Sequence, residues 1–460
     1  MKRIPTTLIA LGLVAALLLA CAEEGDEALL AGAGTGLSEP LSSDDPKAVA
    51  DRAVEAVDDY WQETFPEVYG SPFEPLAGFY PYGPDTPPPP CGSPPPEYEM
   101  IADNAFYCPG DDIIAWDEYQ LMPALNEEFG AFTVAIVIAH EFGHAVQDRF
   151  GTFDRTVDLE LQADCFAGAW TAHVADGQAA GFDAGDVDLD KTVAGMLAIR
   201  DLPGTDPDDP AAHGSGFDRV SAFQDGYENG AVKCEEYANE NEDRRTAEMP
   251  FDYESGETET GGNLPLEGED GLYALVEGDL NEFYDWLFDE VGGPSWTPID
   301  EVVVADPSTD EVTCGGDTFS GEELAYAAVY CEDENIAVID GTDLADDLYS
   351  YGDFAVASEL AQIWAVAAQS QLGTDGAESD LQADCLTGLW AASTFPDVED
   401  VTPGSDLQIS SGDLDEGIQG FIAYGSVASD ESRTVFERTA ALRTGVFEGI
   451  GGCEQYGPLG

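Results

Sequence analysis

Two histidines four residues apart, with a glutamate after the first, stand in an apolar run that begins near Phe132: Ala139-His140-Glu141-Phe142-Gly143-His144. In a helix, that spacing places His140 and His144 one turn apart on one face, where both imidazoles can grip a single metal ion. Glu141, next round the cylinder, can reach a water bound to that ion. Hydrolytic zinc needs three protein ligands and one open position. Sixteen residues beyond His144 comes Glu160, with Asp164 one turn after it. A carboxylate here can complete the site, and a second one can orient a histidine through its other ring nitrogen. The competing reading is a solvated helix that happens to carry two of the chain's four histidines.

Several elements must hold these residues. Apolar positions at helical spacing predict an opening helix over 51–65 and a similar one over 275–288. A Pro-rich loop, Pro81 to Pro96, contains Cys91 and leads to Cys108, and Asp112 to Asp117 reads as a short strand. Two long helices then carry the histidine and Glu160 motifs, and a last helix from about Arg219 to Tyr237 closes the unit. The expected class is α+β: a mainly helical domain with a small sheet.

The pattern returns later in the chain. Phe65 to Gly70 reappears as Phe288 to Gly293, and Cys91 and Cys108 as Cys314 and Cys331, all at an offset of 223. Leu161-Gln162-Ala163-Asp164-Cys165 reappears as Leu381-Gln382-Ala383-Asp384-Cys385, offset 220. Phe217, Arg219, Gly226, Cys234 and Tyr237 reappear as Phe436, Arg438, Gly445, Cys453 and Tyr456, offset 219. A slowly drifting offset predicts a domain duplicated in tandem. The expected divisions are 1–20 as signal, 21–45 as a flexible acidic tether, 46–245 and 271–460 as the two copies, and 246–270 as linker.

Laying one copy on the other sorts chemistry from scaffold. The second copy has Gln362 for His140, Ile363 for Glu141, Val366 for His144 and Asp380 for Glu160. Ala361 and Gln369 still match Ala139 and Gln147, so the helix remains while the ligands are gone. Asp164 and Arg219 persist as Asp384 and Arg438, which gives both an architectural side. His213 is replaced by Ser432, so it is lost with the ligands; this favours a donor to a developing oxyanion over a loop histidine without a role. His173 lies on the far side of its helix from the metal and reads as a packing residue. Cys165 adjoins the site, but its partner Cys385 survives where the ligands do not, so a disulfide is expected rather than a thiolate ligand. The recurring separations predict Cys91–Cys108, Cys165–Cys234, Cys314–Cys331 and Cys385–Cys453.

The H-E-x-x-H with a following E-x-x-x-D resembles the gluzincin type of zinc peptidase. More narrowly, Ala105 to Pro109, Ala139 to His144, Glu160 to Gly168, and His213-Gly214-Ser215 with Arg219 resemble the bacterial putative neutral zinc metallopeptidase family, over roughly residues 50 to 240. The resemblance implies a zincin-like fold for the domain, one zinc in the first copy, peptidase chemistry and Glu160 as third ligand.

The N-terminus points to export. Lys2 and Arg3 precede an apolar run from Leu8 to Ala20, and Leu18-Leu19-Ala20-Cys21 resembles a bacterial lipobox in which Cys21 is lipidated. The expected location is therefore the outer face of the cell membrane or the envelope, or else secretion. Across the chain 94 acidic residues face 15 basic ones, a net charge of −79. Nucleic acid and anionic lipid would be repelled, so membrane attachment would rest on the lipid at Cys21 alone. These readings expect a peptide or protein substrate hydrolysed with Glu141 as general base. The alternatives are a non-catalytic envelope binding or scaffold lipoprotein with structural zinc, and an envelope protein that binds peptides but rarely cuts them. Glu141, which a structural zinc would not need, favours the enzyme.

Overall fold

A computed structural model describes residues 45–459 apart from 152–155, 207–208, 210–211, 238–245, 248–260, 375–378, 396–404, 406 and 425–432. The signal, Cys21 and most of the tether lie outside the described residues, as does Ser432. Helix α1 (Pro46–Tyr69) begins on Asp45, whose carboxylate accepts the Lys47 N–H, and stops at Gly70 in the left-handed region. It buries Val49, Val57, Trp61 and Phe65. Strand β1 (Gly78–Tyr82), the short helix α2 (Tyr98–Ile101), and strands β2 (Ala105–Cys108) and β3 (Ile113–Asp117) follow. The sheet order is β1-β3-β2, with β1 parallel and β2 antiparallel to β3. Only β3 is apparent as a strand in the sequence. Pro81 disguises β1, and it is accommodated because β1 is an edge strand.

Helices α3 (Leu121–Phe129), α4 (Ala131–Phe150), α5 (Thr156–Ala175), α6 (Leu189–Ala198) and α7 (Gly216–Asn229) complete the first half. The closing helix expected to run to Tyr237 ends at Asn229. Gly230, at φ 74°, turns the chain, and a 3₁₀ turn over Lys233–Tyr237 follows. The turn brings Cys234 to Cys165. Packing of α5 on α7 is close enough to require glycine: a Cβ on Gly168 would meet Phe223 O at 1.9 Å, and one on Gly226 would meet Cys165 O at 1.8 Å.

The second half runs through α8 (Leu272–Glu290), β4 (Val302–Ala305), a hairpin of β5 (Glu311–Cys314) and β6 (Asp317–Ser320), β7 (Ala328–Cys331) and β8 (Ile336–Asp340). Helices α9 (Leu344–Tyr349), α10 (Asp353–Leu372), α11 (Ser379–Ser393), α12 (Asp413–Tyr424) and α13 (Val435–Cys453) follow. Its sheet has the order β4-β8-β7, with β4 parallel and β7 antiparallel to β8, and Gly388 and Gly445 occupy the close contacts of α11 with α13. All four expected disulfides are formed. The whole is mainly helical with small sheets, which is the α+β class.

Buried apolar residues of both halves form one continuous cluster. At the junction Phe436 packs on Tyr227 with ring centroids 5.2 Å apart, and Gln224 Nε2 donates to Phe436 O at 2.9 Å. Asp415 of α12 pairs with Arg200 at 2.8 Å and accepts the N–H groups of Gly216 (3.0 Å) and Phe217 (2.6 Å) at the start of α7.

The central strand of each three-stranded sheet ends in a fully buried aspartate, Asp117 or Asp340, that gathers N–H groups from the turns on either side. Asp340 accepts from Tyr326 (2.8 Å), Thr342 (2.9 Å) and Asp343 (3.2 Å). Burial pushes its carboxyl up, but these donors prevail and hold it below the ordinary value. Its contribution to stability is therefore present above the unfolded pKa, about 3.9, and is lost as pH falls through the lower folded pKa. Asp340→Asn should destabilise by about 1–3 kcal/mol near neutrality. Urea titrations of both proteins from neutral to acid pH should show that difference shrinking below about pH 4.

Candidate metal centre

Helix α4 buries nearly its whole circumference, including His140 and Glu141, because α1, α5 and the sheet pack around it. His140 and His144 share one face, with ring centroids 4.8 Å apart. Their Nε2 atoms converge on one carboxylate: His140 Nε2 lies 3.2 Å from Glu160 Oε2, and His144 Nε2 lies 3.5 Å from Glu160 Oε1. A glycine permits the meeting. A Cβ on Gly143, inside the histidine motif, would fall 2.7 Å from Ala163 Cα, so α5 lies directly on the α4 backbone.

Hydrogen bonds behind the rings fix their orientation. His140 Nδ1 is 2.8 Å from Asp164 Oδ1, and Asp164 also receives Arg219 Nε (2.8 Å) and Nη2 (3.1 Å). The third arm of Arg219, Nη1, donates to Ile199 O at 2.8 Å. His144 Nδ1 is 2.9 Å from Gln147 Oε1, and Gln147 Nε2 donates to Leu159 O at 2.6 Å, next to Glu160. With acceptors at both Nδ1 atoms, both Nε2 lone pairs are directed to the common space. Two imidazole nitrogens and a carboxylate, with their donor atoms within 4.8 Å of one another, form a donor set that suits zinc.

The electrostatics follow from burial. Burial opposes a charge on His140, but Asp164 and Glu160 outweigh it and raise its pKa to about 10 before any ion binds. Glu160 is pushed up by burial yet held well below its usual range by His144 and His140. Asp164 is also lowered, chiefly by Arg219 against its burial. Glu141 differs: burial pushes its carboxyl up and prevails over the histidines. One Glu141 oxygen accepts the Tyr107 N–H of β2, and Oε2 has no hydrogen-bond partner among the described residues.

His213 stands apart from this cluster. Its side chain is half exposed, its Nδ1 lies 3.3 Å from Asp201 Oδ1, and its charge is felt at Glu160. Asp201 also accepts the backbone N–H groups of His213 (2.5 Å) and Gly214 (2.8 Å) and so shapes this loop. His173 packs against Tyr60 with ring centroids 5.1 Å apart, away from the cluster. Cys165 is in its disulfide. Gln147, Asp201, Gly143 and the Tyr107 N–H were not singled out as site residues from sequence. Gln147 left a trace there through its match to Gln369, and Tyr107 and Gly143 lie inside segments that carry the family resemblance.

Residues 35–237 match the model of a family described as "Putative neutral zinc metallopeptidase". The chain is similar to the uncharacterized protein Rv2575 of Mycobacterium tuberculosis, 30% identical over 151 residues that cover 27% of this chain and 52% of that protein. It is also similar to the uncharacterized protein YpfJ of Escherichia coli K12, 31% identical over 150 residues covering 27% and 50%. The chain thus spans about half the length of the curated relatives it matches. No solved structure matches it.

Asp164→Asn tests the support behind His140. Zinc affinity, read by competition with a chromophoric chelator, should fall roughly 10–100-fold. Stability should fall by about 3–5 kcal/mol, because Arg219 keeps a buried charge without its counterion. Unchanged zinc affinity would remove Asp164 from the site.

Proposed function

We propose that this chain is an exported zinc-dependent peptidase whose first half carries the site, with His140, His144 and Glu160 as ligands of a single zinc. The observation that carries the reading is the placement of Glu141. It is a buried carboxylate, raised in pKa, with one oxygen unpartnered among the described residues, beside two imidazoles that face one carboxylate. A purely structural zinc site has no use for that group.

Zinc supplies the Lewis acidity that activates water and polarises a scissile carbonyl. Glu141 takes the proton from the attacking water and delivers it to the departing amine nitrogen. The Tyr107 N–H holds one of its oxygens and leaves the other for the proton. Burial strengthens Glu141 as a base, since a raised pKa favours proton uptake. His213, on the rim with Nδ1 on Asp201, is placed to donate from its other nitrogen to the carbonyl oxygen as negative charge grows there.

Four disulfides support export, because such bonds persist in oxidising compartments. We assign 1–20 as the signal and Cys21 as a lipid anchor on the outer face of the membrane. We read 271–460 as a tandem copy that lost its chemistry. The matching sheet order and glycine contacts support that origin, and the absence of histidine from this half leaves it without an imidazole ligand.

In Glu141→Gln protein, casein hydrolysis should drop by at least roughly a hundredfold while zinc stays near one per chain. Zinc loss in that variant, or retained hydrolysis, would refute Glu141 as the base. A second expectation is that His140→Ala strips zinc from the full chain, measured by elemental analysis, since the second half cannot bind it. Stoichiometric zinc in that variant would overturn the ligand assignment.

A further inference from the structure

Outside the metal centre, a second group of acidic side chains is buried where α10 and α12 begin. Asp353 opens α10, and Asp413 and Glu416 lie in the first turn of α12. One oxygen from each lies within 4.8 Å of the other two, and the residues are 6%, 6% and 7% exposed. Part of this arrangement is ordinary helix capping. Asp353 Oδ2 accepts the Leu264 N–H at 2.8 Å, and Glu416 Oε2 accepts that of Phe354 at 3.0 Å. Asp413 accepts the N–H (2.8 Å) and hydroxyl (2.5 Å) of Ser410.

Capping does not account for Asp353 Oδ1. That atom is buried and has no hydrogen-bond partner among the described residues. Neither Asp353 nor Glu416 has a Lys, Arg or His partner among the described residues. The nearby Arg200 is paired instead with Asp415, which also accepts the first N–H groups of α7. The Glu416 carboxylate is seated on the backbone of Gly352, where a Cβ would meet its Cδ at 1.8 Å. At the like position before α4, Gly130 has Lys191 beside it instead, Nζ falling 3.9 Å from an added Cβ. Among the described residues the first half has no such acidic cluster.

Asp353 and Glu416, this close and this buried, repel strongly unless a cation or bound protons neutralise them. An all-oxygen donor set of short and long carboxylates matches a hard divalent ion and not zinc. Calcium tolerates irregular geometry and fills its sphere with carbonyls and waters, whereas magnesium demands a near-ideal octahedron. We propose that Asp353, Asp413 and Glu416 bind a divalent cation of the calcium class. Such an ion would fasten the incoming segment to the second half, because Asn263 Oδ1 accepts the Asp353 N–H (2.8 Å) and Tyr349 Oη donates to Leu264 O (2.9 Å). This role does not depend on the zinc site.

The test is calorimetric titration of the full chain with calcium chloride in about 0.5 M NaCl, which screens weak binding to the acidic surface. One saturable site is expected, with magnesium at least about tenfold weaker, together with a melting temperature that rises with calcium. In Asp353→Asn/Glu416→Gln protein, the site and the calcium-dependent rise should both vanish while zinc content is unchanged. If the double variant does not fold by circular dichroism, each single variant should weaken calcium at least about tenfold. Unsaturable binding in the wild type overturns the proposal, as does calcium binding that the variants leave intact. A variant more stable than wild type at every calcium concentration would show that the acids share protons instead.

Discussion

The backbone of α5 touches a neighbouring helix on each side, and both contacts depend on glycine. On one side Gly143 lets α4 approach until only hydrogen atoms separate it from Ala163, and on the other Gly168 and Gly226 do the same for α7. This matters because α5 carries Glu160 and, one turn on, the adjacent Asp164 and Cys165. A carboxylate on a two-methylene stem has little reach. Moving α5 outward by one methyl group would take Glu160 away from Nε2 atoms that now lie 3.2 and 3.5 Å from it. The donor set is therefore a consequence of helix spacing, and helix spacing a consequence of the missing side chains.

The buried Arg219–Asp164 pair behaves in the same way, as scaffold that also serves the site. In the second half Arg438 holds Asp384 at 3.0 and 2.9 Å, and its Nη2 donates to Gln362 Oε1 at 2.9 Å. Gln362 stands where His140 would be. The exchange is physically cheap in one direction only. A neutral amide can replace an imidazole beside the pair, but removing either charged partner strands the other in a dry interior. That asymmetry explains why the pair is present in both halves while the imidazoles are present in one.

Much of the candidate site was legible in the sequence, because it is local. His140, Glu141 and His144 lie within one turn and a half, and the Glu160–Asp164 spacing repeats the same helical arithmetic. Cysteine pairing was legible through recurring separations. What escaped depends on contacts between distant segments. The Tyr107 N–H reaches Glu141 from an edge strand of four residues, too short and mixed to show a period. Asp201 engages His213 across a bend, with no spacing rule to announce it. The role of Gly143 is an absence of atoms, which shows only once α5 lies against it. Gly230 ends α7 short of the expected Tyr237.

Least legible was how the halves meet. Two repeats joined by a polar segment read as two independent cores, but their buried residues run together, and the junction falls on the helix that supports the site. Asp415 accepts the first N–H groups of α7, the place where a helix would otherwise expose unpaired donors and a positive dipole end. Three residues on, α7 presents Arg219 to Asp164, and Asp164 meets His140. Arg200, the other partner of Asp415, immediately precedes Asp201, which shapes the His213 loop. One carboxylate of the second half thus anchors both the helix behind the histidine cluster and the loop at its rim. A half without histidine still has a positional part in the histidine cluster, through direct contacts that begin at Asp415.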